Sequence, residues 1–269
     1  MPPLPRGSLS ASAAVLNLLL RASAIDPPVR LVILRREDYT GERLRELHAM
    51  ANLLMAEDFD HFRVHAEAND LVHVFRRVDT GEVVGFQFWR TAPMQGQSSR
   101  AILGGKLRVR PEFRGRALHL ISGMLFYLQN QITRPTTRYY RLSIASVFGF
   151  VSITEALARY HLFDPRDRSR EEAVAVRDAF VALARESHFR LDEQTGLFHV
   201  GILMTPDTLA RYSPAYFERP AARIYASANP AFRANGCYLG FWFRFTPENL
   251  RSMTRALWRK LRPGGSRAS

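Results

Sequence analysis

Residues 107–119 read Leu-Arg-Val-Arg-Pro-Glu-Phe-Arg-Gly-Arg-Ala-Leu-His, between a strand-like and a helix-like apolar pattern. A strand feeding a Gly-containing turn at a helix N-terminus aims backbone N–H groups and the positive end of the helix dipole at one point. Such a nest holds a phosphate without needing lysine. Arg114 and Arg116 can add charge-assisted hydrogen bonds to the same anion.

Other chemistry-bearing residues offer less. Cys237 is the only cysteine, which excludes a disulfide framework and a Cys-rich zinc site. In Asn235-Gly236-Cys237 it reads as a small buried residue at a strand start, not a nucleophile. His48 falls on the apolar face of a helix and reads as a core or rim histidine; no metal is expected. Gly-x-Ser-x-Gly, Walker and Gly-x-Gly-x-x-Gly sequences are absent, which removes the common hydrolase, NTPase and dinucleotide readings.

The elements that position the 107–119 segment follow from apolar periodicity. Residues 29–34 read as a buried strand, and Thr40 caps a helix reaching about residue 58. Residues 71–78 and 82–92 form a hairpin about Asp79-Thr80-Gly81. Residues 101–109 are a strand whose Gly104-Gly105 marks a bulge or close backbone approach. A helix over 115–132, a strand over 139–147 and a helix over 151–160 follow. Beyond them come a mixed-charge helix (169–186), a strand (198–204), an irregular stretch (212–235), an aromatic strand (238–245) and a last helix to residue 261. This order predicts an α/β fold, one mixed sheet with helices on its faces.

The 269 residues are 46% hydrophobic, enough to bury a real core. Three parts are expected: an N-terminal extension (1–28), a core (29–165) that carries the 107–119 segment, and a C-terminal part (166–269) that completes the sheet. Residues 9–24 have some signal-peptide flavour, but a docking helix or frayed terminus fits them better. The net charge is +13, yet 36 of the 38 basic residues are arginine, so composition alone is a weak argument for nucleic acid. The excess is local: nine basic residues and one acid, Glu112, lie between Ser98 and Arg141.

On Val109, Pro111, Arg114 and Gly115, with Ala117 at the second glycine and His119 at the final Gly/Ala, the chain resembles the GNAT superfamily of N-acyltransferases. The element order from Val29 to Tyr160 extends that resemblance over about half the chain. The resemblance implies a GNAT-like mixed sheet flanked by helices, with a C-terminal extension. It also implies that the backbone of Leu107, Arg108 and Val109 pairs with the pantetheine arm of the donor. The amides of Arg114, Gly115, Arg116, Ala117, Leu118 and His119 would hold its pyrophosphate, His119 contacting phosphate or crowding it. Tyr160 falls where the family places the tyrosine that protonates the leaving thiolate, although Leu162-Phe163 replaces the usual Gly-Phe at a shorter spacing.

The expected function is acyl transfer from acyl-CoA, or an acyl carrier protein, to the amine of a small molecule or peptide by direct attack. No cofactor is expected beyond that co-substrate. Residues 101–109 hold no Asp, Glu or His, so the base must be a water relay or come from the C-terminal half. Tyr225, Asn229 and Asn235 in the irregular stretch are the expected acceptor-binding residues. Cytoplasmic location is expected, with no transmembrane segment; the basic last helix caps the core or touches an acidic surface, lipid or protein. The rival reading is a non-catalytic GNAT-like module that binds RNA or a partner protein through its arginines.

Overall fold

The computed structural model describes residues 25–94 and 98–261, together with Ala14, Asn17, Leu18 and Leu20. The leader reading of residues 9–24 therefore lies largely outside the described residues. Where it can be seen, the segment is docked: Leu20 is buried, and Asn17 exchanges hydrogen bonds with the backbone of Leu31 at 2.6 and 3.0 Å.

The strands are β1 (Val29–Arg35), β2 (Met55–Ala56), β3 (Leu71–Arg77), β4 (Val83–Pro93), β5 (Ser99–Val109), β6 (Arg138–Ala145), β7 (His161–Leu162), β8 (Arg190–Leu191), β9 (Leu197–His199), β10 (Leu203–Met204) and β11 (Cys237–Arg244). The helices are α1 (Gly41–Asn52), α2 (Phe59–Glu67), α3 (Leu118–Thr133), α4 (Val147–Thr154), α5 (Glu171–Glu186), α6 (Pro206–Ala210), α7 (Pro214–Phe217), α8 (Pro220–Ala228) and α9 (Pro247–Leu261). The main sheet runs β1-β3-β4-β5-β6-β11-β9-β8, with β7 also on β11. Every pairing in it is antiparallel except β5–β6.

One core fills the sheet face carrying Phe86, Phe88 and Leu142, under α1, α2 and α5; Trp89, Ile102 and Tyr139 pack with Phe126 of α3 in another. The last helix caps the core through Met253 and Ala256, while Trp258 stays 60% exposed. Cys237 is buried at the start of β11, its Sγ 3.0 Å from His199 Nδ1.

Several expected boundaries are corrected. The helix expected to reach residue 58 ends at Asn52, and a second helix, α2, starts after Asp58, whose carboxylate accepts from the N–H groups of Asp60 and His61 at 2.8 and 3.1 Å. The strand expected over 198–204 is two short ones, parted by Gly201 in a left-handed conformation (φ 73°). The irregular stretch holds α7 and α8, each with proline in its first turn. The helix expected over 151–160 is α4, which starts at Val147 after a Ser146 N-cap and ends at Thr154. Tyr160 is thereby left in the loop before β7.

Candidate active site

β5 and β6 hold the site open. Their parallel ladder runs from Ser99↔Arg138 to Leu103↔Leu142 and stops, while β5 continues to Val109 and β6 to Ala145. Beyond Leu103 the free edge of β5 offers its N–H and C=O groups to whatever enters. A cavity of about 580 Å³ fills the parting, walled by residues 103–109 of β5, the loop to α3, residues 141–153 of β6 and α4, and Tyr212 and Tyr238.

β5 also carries a bulge. Phe86 pairs with Arg108 and Phe88 with Gly105, so Lys106 and Leu107 together face Gln87. The bulged residue is Lys106, at φ 46°, not the adjacent glycine pair. Gly104 has a different role: a Cβ there would lie 2.5 Å from Arg141 Nη2 and 2.8 Å from the Trp89 ring.

The loop from Arg110 to Ala117 turns into α3 through left-handed residues, Gly115 at φ 80° and Ala117 at φ 59°. Ala117 is the N-cap of α3 and has no side-chain acceptor, so the first N–H groups of the helix are free for an anion. Glycine at the second motif position avoids the left-handed strain that Ala117 accepts, of roughly 1 kcal/mol. Arg114 Nη1 donates to the Tyr212 hydroxyl at 2.8 Å, and Tyr212 stacks on Phe148 of α4 with centroids 4.0 Å apart. Arg116 turns away and donates to the carbonyl of Asp26. His119 departs from the phosphate-contact expectation: its ring faces α4, with Nε2 3.1 Å from both the carbonyl and the hydroxyl oxygen of Ser152. Burial, with Lys260 nearby, pushes this imidazole down to about 3, so it is neutral.

The expected proton donor and acceptor residues stand elsewhere. Tyr160 does not line the cavity; its ring meets Phe150 and Phe241 edge-on at 5.7 and 6.4 Å. Tyr225 is buried and donates to the Ala145 carbonyl at 3.0 Å. Asn229 donates to the Cys237 carbonyl at 2.8 Å and accepts from Asn235 at 2.7 Å, and Asn235 accepts from the Cys237 N–H at 2.9 Å. Tyr225 ties α8 to the end of β6, Asn229 and Asn235 tie the chain after α8 to the start of β11, and none of the three lines the cavity. Side chains in a Pro- and Asn-rich stretch must satisfy its irregular backbone first.

In their place the structure gathers a cluster that the sequence reading missed. Lys106 lines the cavity and pairs with Glu57, whose side chain is 1% exposed; Arg108 Nη2 lies 3.7 Å from the same carboxylate. His61 Nδ1–H donates to Glu57 at 2.9 Å, and His65 Nε2 lies 3.2 Å from His61 Nε2. Glu57 is fixed through its backbone, its carbonyl meeting His48 Nε2 at 2.8 Å and its N–H donating to Asn52 at 3.2 Å. Burial would raise the Glu57 carboxyl, but Lys106 and then Arg108 outweigh it and hold it below the usual carboxylate range. Burial pushes Lys106 down to about 8 against the opposing pull of Glu57. Across the parting, Tyr238 lines the cavity with a buried hydroxyl that has no hydrogen-bond partner, and burial raises it to about 12. The four-residue spacing of His61 and His65 was the available signal for this cluster. Among the described residues no three His, Cys, Asp or Glu side chains are grouped to hold a metal ion.

The antiparallel β1-β3-β4-β5 run, the single parallel β5–β6 step, the parting beyond it and the left-handed loop at α3 are a fold of the GNAT type. No protein-family model matches the sequence, and no curated protein matches it. Solved structures match over part of the chain. An acetyltransferase from Trypanosoma brucei is 18% identical over 40% of this chain and 75% of its own, with a TM-score of 0.28. A GNAT family N-acetyltransferase from Escherichia coli, solved with CoA, is 16% identical over 45% of this chain and 66% of its own (TM-score 0.31). Glucosamine-6-phosphate N-acetyltransferase from Arabidopsis thaliana is 14% identical over 46% and 86% (TM-score 0.33). Among the described residues no helix is long and apolar enough to cross a membrane.

Proposed function

We propose that this chain is an N-acyltransferase that passes an acyl group from a CoA thioester to an amine by direct attack. The observation that carries this reading is the parted β5–β6 ladder opening beside a left-handed loop at the N-terminus of α3. A pantetheine arm adds to the free edge of β5 as a pseudo-strand, and the bulge presents backbone N–H groups that polarise the thioester carbonyl. The pyrophosphate takes the N–H groups from Gly115 to His119 together with Arg114.

An incoming ammonium must lose a proton before it attacks. Lys106, poised near neutrality, accepts it, and Glu57 and His61 lead it outward, His61 being 36% exposed at its side chain. Tyr238, protonated at physiological pH, returns a proton to the departing thiolate. The amine enters between the α1–α2 link and the C-terminal part. There β2 pairs with β10, Thr208 donates to the Leu54 carbonyl at 3.0 Å, and Leu54, Phe189 and Ile202 wall the cavity.

Carrier-protein donors gain little from the local arginine excess, because Lys106, Arg108 and Arg141 are turned inward and Arg110 pairs with Glu82 at 2.6 Å. The test is release of free thiol from acyl-CoA thioesters of increasing chain length against a panel of amines, with the same acyl groups on carrier protein in parallel. Amine-dependent thiol release is expected with CoA donors. No release, together with no heat-stabilisation by any CoA thioester, would overturn the reading.

A further inference from the structure

Arg141 is a buried cation that no carboxylate neutralises. It stands on β6 one residue before the last β5–β6 rung, is 5% exposed, and lines the cavity at its closed end. Its Nη1 donates to the carbonyls of Ile102 and Leu142 at 3.2 and 2.5 Å, and its guanidinium lies 4.8 Å from the Trp89 ring centroid. Gly104 clears the space for this crossing of the parting. Among the described residues no acidic side chain pairs with it, and burial alone acts on its titration, pushing it down to about 9. Two further residues that line the same cavity, Ser143 and Gln87, are each 3% exposed, and among the described residues the Ser143 Oγ and the Gln87 Oε1 have no hydrogen-bond partner.

A guanidinium is costly to desolvate unless an anion or full hydrogen bonding offsets the loss, and two carbonyls and one ring face leave donors unused. Lys106 makes the contrast within one cleft: its side chain, 7% exposed, has Glu57. We propose that the closed end of the cleft is a carboxylate subsite, in which Arg141 and the Ser143 hydroxyl receive a carboxylate carried by a substrate. Gln87 Oε1 then accepts an N–H or O–H beside it. This rests on the acyltransfer reading for the identity of the bearer. The carboxylate belongs either to the far end of a dicarboxylic acyl chain or to an amino acid acceptor.

Calorimetric titration of the full chain with CoA, butyryl-CoA and succinyl-CoA tests the first source. Leucine against 3-methylbutylamine, with CoA saturating, tests the second. One carboxylate-bearing ligand is expected to bind tighter than its counterpart lacking that carboxylate by on the order of tenfold to a hundredfold. Arg141→Met should abolish that preference, Arg141→Lys should keep part of it, and CoA itself should bind all three proteins alike, which also reports that they fold. The unliganded Arg141→Met protein should melt no lower than the wild type, because no buried anion is stranded. If CoA fails to bind the wild type, the donor reading falls, while heat-stabilisation by free succinate that Arg141→Met loses would still uphold the subsite. Equal binding by the wild type of the ligands with and without the carboxylate would overturn the proposal, as would a preference that survives in Arg141→Met; Arg141 is then a clamp between two strands.

Discussion

Two buried cations flank the same parting, and they are treated in opposite ways. Lys106, at the bulge of β5, has a carboxylate in contact, a second cation behind it and a histidine chain leading outward. Arg141, where β6 leaves β5, has carbonyls and an aromatic face but no anion. A compensated charge of moderate basicity can exchange protons without leaving a bare ion behind. An uncompensated one of high basicity cannot exchange a proton at neutral pH and can only wait for a counter-charge. Strength of burial is thus no guide to role; the partner is.

The sharpest way to break the contrast is to remove each cation in turn. Lys106→Met strands Glu57 with Arg108 as its remaining cation, and losing one member of a buried pair costs about 3 kcal/mol or more. It should also lower turnover by on the order of a hundredfold to ten-thousandfold, the usual worth of a positioned base. The pH profile checks the role apart from stability. Lys106 is a free amine above about 8 and an ammonium below it, so wild-type kcat/KM should fall tenfold per unit as pH drops below that point. The acceptor amine titrates as well, so the comparison is between wild type and Lys106→Met with one acceptor; superimposable profiles would remove Lys106 as the base.

Two tyrosines sharpen the same lesson, because the role expected of Tyr160 is the one we propose for Tyr238. Tyr160 has its ring among Phe150 and Phe241, outside the cavity, whereas Tyr238 lines it and among the described residues has a buried hydroxyl without a partner. Tyr238→Phe should lower turnover about a hundredfold with donor affinity nearly intact, as for loss of a proton donor. Tyr160→Phe should leave turnover within about twofold. Steady-state kinetics on both variants decides, and the reverse ranking would return Tyr160 to the site.

What was legible and what was not divides along the same line. The strand-turn-helix geometry at 107–119 could be read because Pro111, Gly115 and the apolar periods on either side announce it locally. The element order to Tyr160 was readable for the same reason, from Thr40 as cap and Gly81 in the hairpin turn. Glu57, Lys106 and Arg141 were not, because their meaning depends on which distant groups reach them, and a 49-residue separation between Glu57 and Lys106 leaves no periodic trace. Tyr225, Asn229 and Asn235 misled because polar residues in irregular chain satisfy their own backbone as readily as they bind ligands.

Arg114 lies between these extremes, since its position was legible and its partner was not. Arg114→Ala should weaken CoA binding by on the order of tenfold to a hundredfold, the worth of a charged hydrogen bond, with little change in melting temperature. Titration with CoA and with dephospho-CoA as a control checks this, and unchanged affinity would take Arg114 out of the phosphate site.

Tyr212 should give the smallest effect. Its hydroxyl accepts from Arg114 Nη1 at 2.8 Å, and its ring is stacked on Phe148, so it aims the guanidinium from a fixed base. Tyr212→Phe keeps the stack and removes only the acceptor, which frees the guanidinium to rotate and leaves the Val109 carbonyl, 3.3 Å from Nε, as its other anchor. Losing one such bond corresponds to about 0.5–1.5 kcal/mol, or roughly a twofold to tenfold loss of CoA affinity. The effect should vanish in the Arg114→Ala background, because the hydroxyl acts on phosphate only through that arginine. A double-mutant cycle measured by CoA titration reads the coupling directly. Additive losses would mean that Tyr212 touches the donor itself, and the loop would then hold phosphate with a phenol as well as with its backbone.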